Sequence, residues 1–108
     1  MSILEQDKID FIGTEENNTV VLTISDHLNW DNKLEHLNIL QTKLNTYLSF
    51  IESGQLYENY PNSKGKTIVI RIVSEYEYKE EGNEFLEKVR PILDEIEVLL
   101  EQRIYSSP

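Results

Sequence analysis

Asp26 and His27 stand side by side at the end of an apolar run, and Trp30, the sole tryptophan, follows close behind. An aspartate beside a histidine is the raw material of an acid–base pair, and Asp10 or Ser25 could supply a further polar group from a neighbouring strand. Nucleophilic catalysis asks for more. A nucleophile, a base and an orienting group must converge, with donors waiting for the developing negative charge. Adjacent residues on an extended segment face opposite sides, so Asp26 and His27 cannot form that relay by themselves. The chain also lacks a G-x-S-x-G elbow, a phosphate-cradling glycine loop and a dinucleotide fingerprint. No residue is assigned a catalytic role, and the balance leans away from an enzyme.

Metal chemistry fares no better. His27 and His36 are the only histidines, with Asp26, Asp31 and Glu35 as possible oxygen ligands. A dedicated helical site usually presents two ligands one turn apart, and that spacing is missing. The simpler expectation places His36 on a helix surface and has His27 bond a local backbone group. No metal and no other cofactor is expected. Trp30 is large and amphipathic, so it is a candidate anchor for a ligand or partner. The competing expectation is that it packs the first turn of a helix onto the sheet edge. Gln41 lies within an apolar stripe and, if buried, would need amide partners, with Asn45 one turn away. Tyr60, in a loop, joins Asp10, Asp26, His27, Trp30 and Gln41 as the candidate binding set. Tyr57, Tyr76, Tyr78 and Tyr105 add to a tyrosine content suited to an interface.

The elements that must position these residues can be read in chain order. Residues 1–7 are polar and are expected to form a flexible arm. Lys8–Ile12 reads as a short strand, followed by turn chemistry through Asn17 and Asn18. Thr19–Ser25 alternates as a second strand, and the two make a hairpin. A long helix is expected from about Asn29–Asn32 to Ser53, with Asn32 and Glu35 at capping-box spacing. Its apolar stripe runs Trp30, Leu34, Leu37, Gln41, Leu44, Leu48, Ile51, with Gly54 as the left-handed residue that closes it. The connection through residue 66 is long enough to suggest a function or a short extra turn. Thr67–Tyr78 is the most apolar strand and is expected to lie centrally. A second helix, capped by Asn83, carries helical spacing from Phe85 to Leu100, and Pro91 predicts a kink or break near Arg90.

The expected architecture is α+β: a two-layer sandwich in the order β-β-α-β-α, with a three-stranded sheet and two helices on one face. The third strand should run parallel to the second and antiparallel to the first. The domain is expected to span residues 8–105, with 106–108 as a frayed tail. The opposite sheet face, with Val21, Thr23, Val69, Arg71 and Val73, is a candidate dimer or partner surface.

Composition bounds the function. At 108 residues the chain suits one domain, and a formal charge of −10 disfavours binding to phosphate backbones or anionic membranes. A basic protein partner is favoured instead, and mimicry of nucleic acid by rows of carboxylates is a further possibility. No apolar run approaches the roughly 18–20 residues of a membrane span. The absence of cysteine and of a leader-like N-terminus fits a cytoplasmic protein, monomeric or homodimeric.

Several pieces read together add a resemblance. They are Ile9-Asp10-Phe11-Ile12-Gly13, the run Val20–Ser25 with Asp26-His27-Leu28-Asn29-Trp30, Leu40-Gln41, Phe50-Ile51-Glu52-Ser53-Gly54 and Tyr60-Pro61. Over roughly residues 8 to 88 the chain resembles a family of small bacterial proteins known only as a domain of unknown function. The resemblance implies a bacterial, soluble, single-domain protein and carries no catalytic roles. The stretch after Pro91 departs most from the family pattern. The function these features favour is a small acidic, non-enzymatic interaction module, of the immunity or inhibitor kind. The alternative is a small ligand-binding protein or hydrolase-like enzyme with its site at Asp26–Trp30.

Overall fold

In the computed structural model, residues 2–105 are described, so the tail expected at 106–108 lies outside them. The chain forms β1 (Phe11–Glu15), β2 (Thr19–Asp26), α1 (Lys33–Glu52), α2 (Gln55–Asn59), a 3-10 turn (Pro61–Ser63), β3 (Thr67–Ser74), α3 (Glu80–Glu95) and β4 (Val98–Ile104). One sheet holds the strands in the order β1-β2-β3-β4. β1 runs antiparallel to β2, while β3 runs parallel to both β2 and β4.

The α+β class and the β2–β3 relationship match the expectation, but the sheet has four strands rather than three, and there are three helices rather than two. The missed strand is β4. Its residues continue the helical spacing of α3, which hid the change of period. Helix α3 ends at Glu95, Glu97 takes a left-handed backbone (φ 60°), and the chain turns back along β3. Val98 and Leu100 then point inward and Leu99 outward, the two-residue alternation of a strand. Pairing there satisfies one edge of β3, whose amides and carbonyls would otherwise be stranded in the most apolar part of the sheet. Pro91 sits inside α3 and does not end it. The proline faces solvent at the surface of the helix.

Register also differs from the expectation at the first strand. β1 begins at Phe11, and the hairpin closes through Asn17 and Asn18, both with left-handed φ near 60°. Ile12 therefore packs against the core, whereas Phe11 lies on the open face. β3 stops at Ser74, short of the expected Tyr78. Gly54 does adopt the left-handed conformation (φ 85°) after α1, and α2 with the 3-10 turn fills the connection that follows.

The core lies between one sheet face and the helices. Val20, Leu22 and Ile24 of β2 and Ile68, Ile70 and Ile72 of β3 meet Leu40 and Leu44 of α1 and Leu86 and Leu93 of α3. The inward face of α1 is His36, Leu40, Lys43, Leu44, Tyr47 and Ile51. This is a correction to the stripe expected from apolar spacing: Leu34 is 76% exposed and Gln41 faces solvent. The helix is rotated because two polar residues, His36 and Lys43, have buried partners waiting for them. Asn32 caps α1 as expected. Its side-chain oxygen accepts from the Glu35 amide at 3.2 Å, and its side-chain nitrogen donates to the Glu35 carboxylate at 3.0 Å.

Candidate functional site: the end of β2

Two buried polar clusters meet where β2 gives way to α1. The first is built on Asp26, the last residue of β2 and one that faces the core. The parallel strands expose their carboxyl ends here, the edge where open α/β sheets commonly bind ligands. Asp26 Oδ1 accepts from the Leu28 amide at 3.1 Å, closing a turn at the strand end. Its Oδ2 lies 2.7 Å from His36 Nε2 and also accepts from the Tyr78 hydroxyl. The other ring nitrogen, His36 Nδ1, is 3.0 Å from the Asn29 carbonyl. A carbonyl only accepts, so the ring nitrogen facing Asn29, Nδ1, is the one that donates there. Trp30 stacks on the His36 ring with centroids 3.8 Å apart, and Tyr78 meets Trp30 edge-on at 4.9 Å. Burial, followed by the neighbouring Asp26 charge, pushes the Tyr78 hydroxyl well above its ordinary pKa.

The second cluster centres on Lys43. Its ammonium is completely buried and bonds to Asp10 Oδ1 at 2.6 Å. It also reaches three backbone carbonyls, of Ser2 at 3.0 Å, Glu5 at 2.6 Å and Lys8 at 2.8 Å. An ammonium has three hydrogens, so this shell leaves it no unspent donor. Tyr47 lies beneath, accepting from the Asp10 amide at 2.9 Å and donating to the Thr23 carbonyl. Burial pushes the Tyr47 hydroxyl upward in pKa as well. The two clusters join at Ser25, whose amide donates to Asp10 Oδ2 at 3.0 Å and whose carbonyl accepts from the Ile3 amide at 2.9 Å. Ile3 is fully buried, so the polar first residues, expected as a loose arm, carry one apolar anchor that packs into the core.

Of the candidate residues, Asp10, Asp26 and Trp30 come together in this junction and His27 does not. His27 is exposed and lines a surface depression of about 360 Å³ with Leu28, Asn29, Glu35 and Ile39. Its alternation with Asp26 along an extended chain sends the two side chains apart. Gln41 is exposed, so the buried amide network considered for it does not form. Tyr60 borders a separate depression of about 400 Å³ with Ile12, Gly13, Thr14 and Pro61. Sequence reasoning missed His36, expected on the surface, together with Lys43, Tyr47 and Tyr78 as partners. One signal was present: positions 36, 40, 43, 44, 47 and 51 form a helical stripe once a histidine and a lysine are allowed to face inward.

Chemically, both clusters are closed. Asp10, Asp26, His36 and Lys43 are all buried, and each polar group of the four is bonded within the protein. No His, Asp or Glu side chains group as three or more metal ligands among the described residues. No helix there is long and apolar enough to cross a membrane. On the open sheet face, Arg71 clamps Glu15 with two bonds of 2.7 and 3.0 Å and reaches Glu101 at 3.2 Å. The bonds from Arg71 hold the Glu15 carboxyl below the usual carboxylate range.

The sequence profile of a family of unknown function, DUF6572, matches residues 1–106. No curated protein and no solved structure matches the chain.

Proposed function

The chain belongs to DUF6572, a family of unknown function, and we propose from its geometry that it is a non-enzymatic module that binds a basic protein, in the manner of an inhibitor or immunity protein. One observation carries this reading. The acid, base and hydroxyl groups at the end of β2 lie buried and spend their hydrogen bonds on one another and on backbone, which is the work of organising the fold. What remains for recognition is the outer surface, and its charge is −10 overall. The outward side of α3 concentrates that charge in Glu80, Glu81, Glu84, Glu87, Asp94 and Glu95. Such a face attracts a basic protein over distances of about a Debye length, roughly 8 Å at physiological salt.

The test is capture from a cell lysate at physiological salt, comparing wild type with an E84K/E87K variant. A basic protein retained by wild type, released by added salt and lost by the variant supports the reading. Capture of nothing, or of a partner indifferent to both salt and charge reversal, rejects it. A second reading is favoured by one observation only: the depression beside His27 borders His36, so a small ligand placed there would touch the junction. A thermal shift with a ligand set, abolished in a His27→Ala variant, would select that reading.

A further inference from the structure

β4 is an edge strand, and its alternation fixes which backbone groups are free. The Tyr105 amide donates to Ser74 of β3. Successive residues of a strand turn their amides and carbonyls to opposite sides, so Leu99, Glu101 and Arg103 also face β3. Leu100, Gln102 and Ile104 therefore present theirs along the open edge. The Leu100 carbonyl confirms the direction, because the Arg90 guanidinium reaches it from α3 at 2.8 Å.

We propose that this edge pairs with β4 of a second copy of the chain, antiparallel and centred on Gln102, to give a twofold-symmetric dimer with a continuous eight-stranded sheet. In that register Gln102 faces its own counterpart, and Leu100 faces Ile104 of the other copy. All three are residues whose backbone groups point outward, so the amides and carbonyls of each pair exchange bonds. On the open face Glu101 stands opposite Arg103 of the other copy, and Leu99 opposite Tyr105, each pair occurring twice by symmetry. These are non-hydrogen-bonded positions, where side chains approach closest. Leu99 and Ile104 of β4 and Tyr105 just beyond its end are 53%, 55% and 58% exposed in the single chain, three large side chains left open along one sheet edge.

Charge selects this register over its neighbours. Centring the pair on Glu101 or on Arg103 would set like charges face to face across the axis, which is destabilising. Arg103 Nε already lies 2.5 Å from Glu101 within its own chain. Both charges therefore lie on the surface that the second copy would meet. The Arg90 contact is compatible with pairing, since a carbonyl oxygen has a second lone pair for the incoming Ile104 amide. The proposal does not depend on the acidic face of α3, which the reading above assigns to a different partner.

The experiment is the mass of the full chain by sedimentation equilibrium from micromolar to millimolar protein, with circular dichroism to establish that each variant folds. Wild type is expected to reach twice the monomer mass. R103E places carboxylates opposite Glu101 and is expected to return the mass to that of the monomer. Register is read with cysteine variants, which start from a chain without cysteine. Q102C meets its own copy at a Cα separation of about 5.5 Å, within disulfide reach, and is expected to cross-link on mild oxidation. I104C lies several residues from its counterpart and is expected not to. A wild type that stays monomeric throughout, an R103E variant that dimerises like wild type, or I104C cross-linking as readily as Q102C would each overturn the proposal.

Discussion

Lys43 reaches Asp10 from a helix turn thirty-three positions along the chain, and the two charges lie 2.6 Å apart, both buried. The pair also gathers the carbonyls of Ser2, Glu5 and Lys8 around one ammonium. Removing one partner of such a buried pair leaves the other charged and unpaired. Lys43→Met is therefore expected to cost about 3–5 kcal/mol, against much less for the same change at an exposed lysine. The double variant Asp10→Asn, Lys43→Met should lose less than the sum of the singles, because the stranded carboxylate is gone. Urea denaturation of the four proteins measures both numbers.

Tyr78 makes stability depend on alkaline pH. Burial and the Asp26 charge raise the pKa of its hydroxyl in the folded chain, while an unfolded tyrosine ionises near pH 10. The contribution is fully present below about pH 10 and is lost as pH rises beyond it, because only the unfolded chain releases the proton. Tyr78→Phe should lower stability by about 0.5–3 kcal/mol at neutral pH, through loss of the buried hydrogen bond to the Asp26 carboxylate. It should also reduce the slope above pH 10 by about 1.4 kcal/mol per pH unit. Part of the slope should survive, since Tyr47 is shifted in the same direction. Denaturation midpoints recorded from neutral to alkaline pH separate the two effects.

Gly82 lies in the first turn of α3 with no unusual backbone angle, so alanine there would ordinarily strengthen the helix by up to about 1 kcal/mol. A Cβ at this position would stand 2.9 Å from Trp30 Cη2 and 3.2 Å from Tyr78 Cδ2. Trp30 cannot yield easily, because its ring is held against His36. Gly82→Ala is thus expected to destabilise by about 1–3 kcal/mol, the cost of overpacking, with a changed emission from the sole tryptophan. A stabilised variant would contradict the packing described at the junction.

Asn32→Ala should cost about 1 kcal/mol by removing the cap on α1. Asn29→Ala, three residues earlier, should cost less. Among the described residues the Asn29 side chain accepts from the Asp31 amide alone, and the bond to His36 comes from the Asn29 backbone carbonyl, which alanine retains. Thermal melts of the two variants give the comparison directly.

Alternation made β2 and β3 legible in the sequence, and Asn32 with Glu35 made the start of α1 legible. β4 was hidden because Ile96, Leu99 and Leu100 suit a helical period as well as a strand, and only pairing with β3 decides between them. The junction was half visible. Asp10, Asp26 and Trp30 stood out by type, whereas His36 and Lys43 looked like ordinary wet-face residues of a helix. A lysine is almost never fully buried, so no local pattern announces one that is. Its place is decided by Asp10 and three carbonyls, which are remote in sequence and come together only in the tertiary fold.

The carbonyl shell around Lys43 also makes that amine a built-in clock. Amine-reactive reagents can modify exposed lysines in the folded protein, but they reach Lys43 only when residues 2–10 have let go of it. Its rate of labelling, followed by mass spectrometry, would thus time the release of the N-terminal segment, whether that happens alone or together with the rest of the fold.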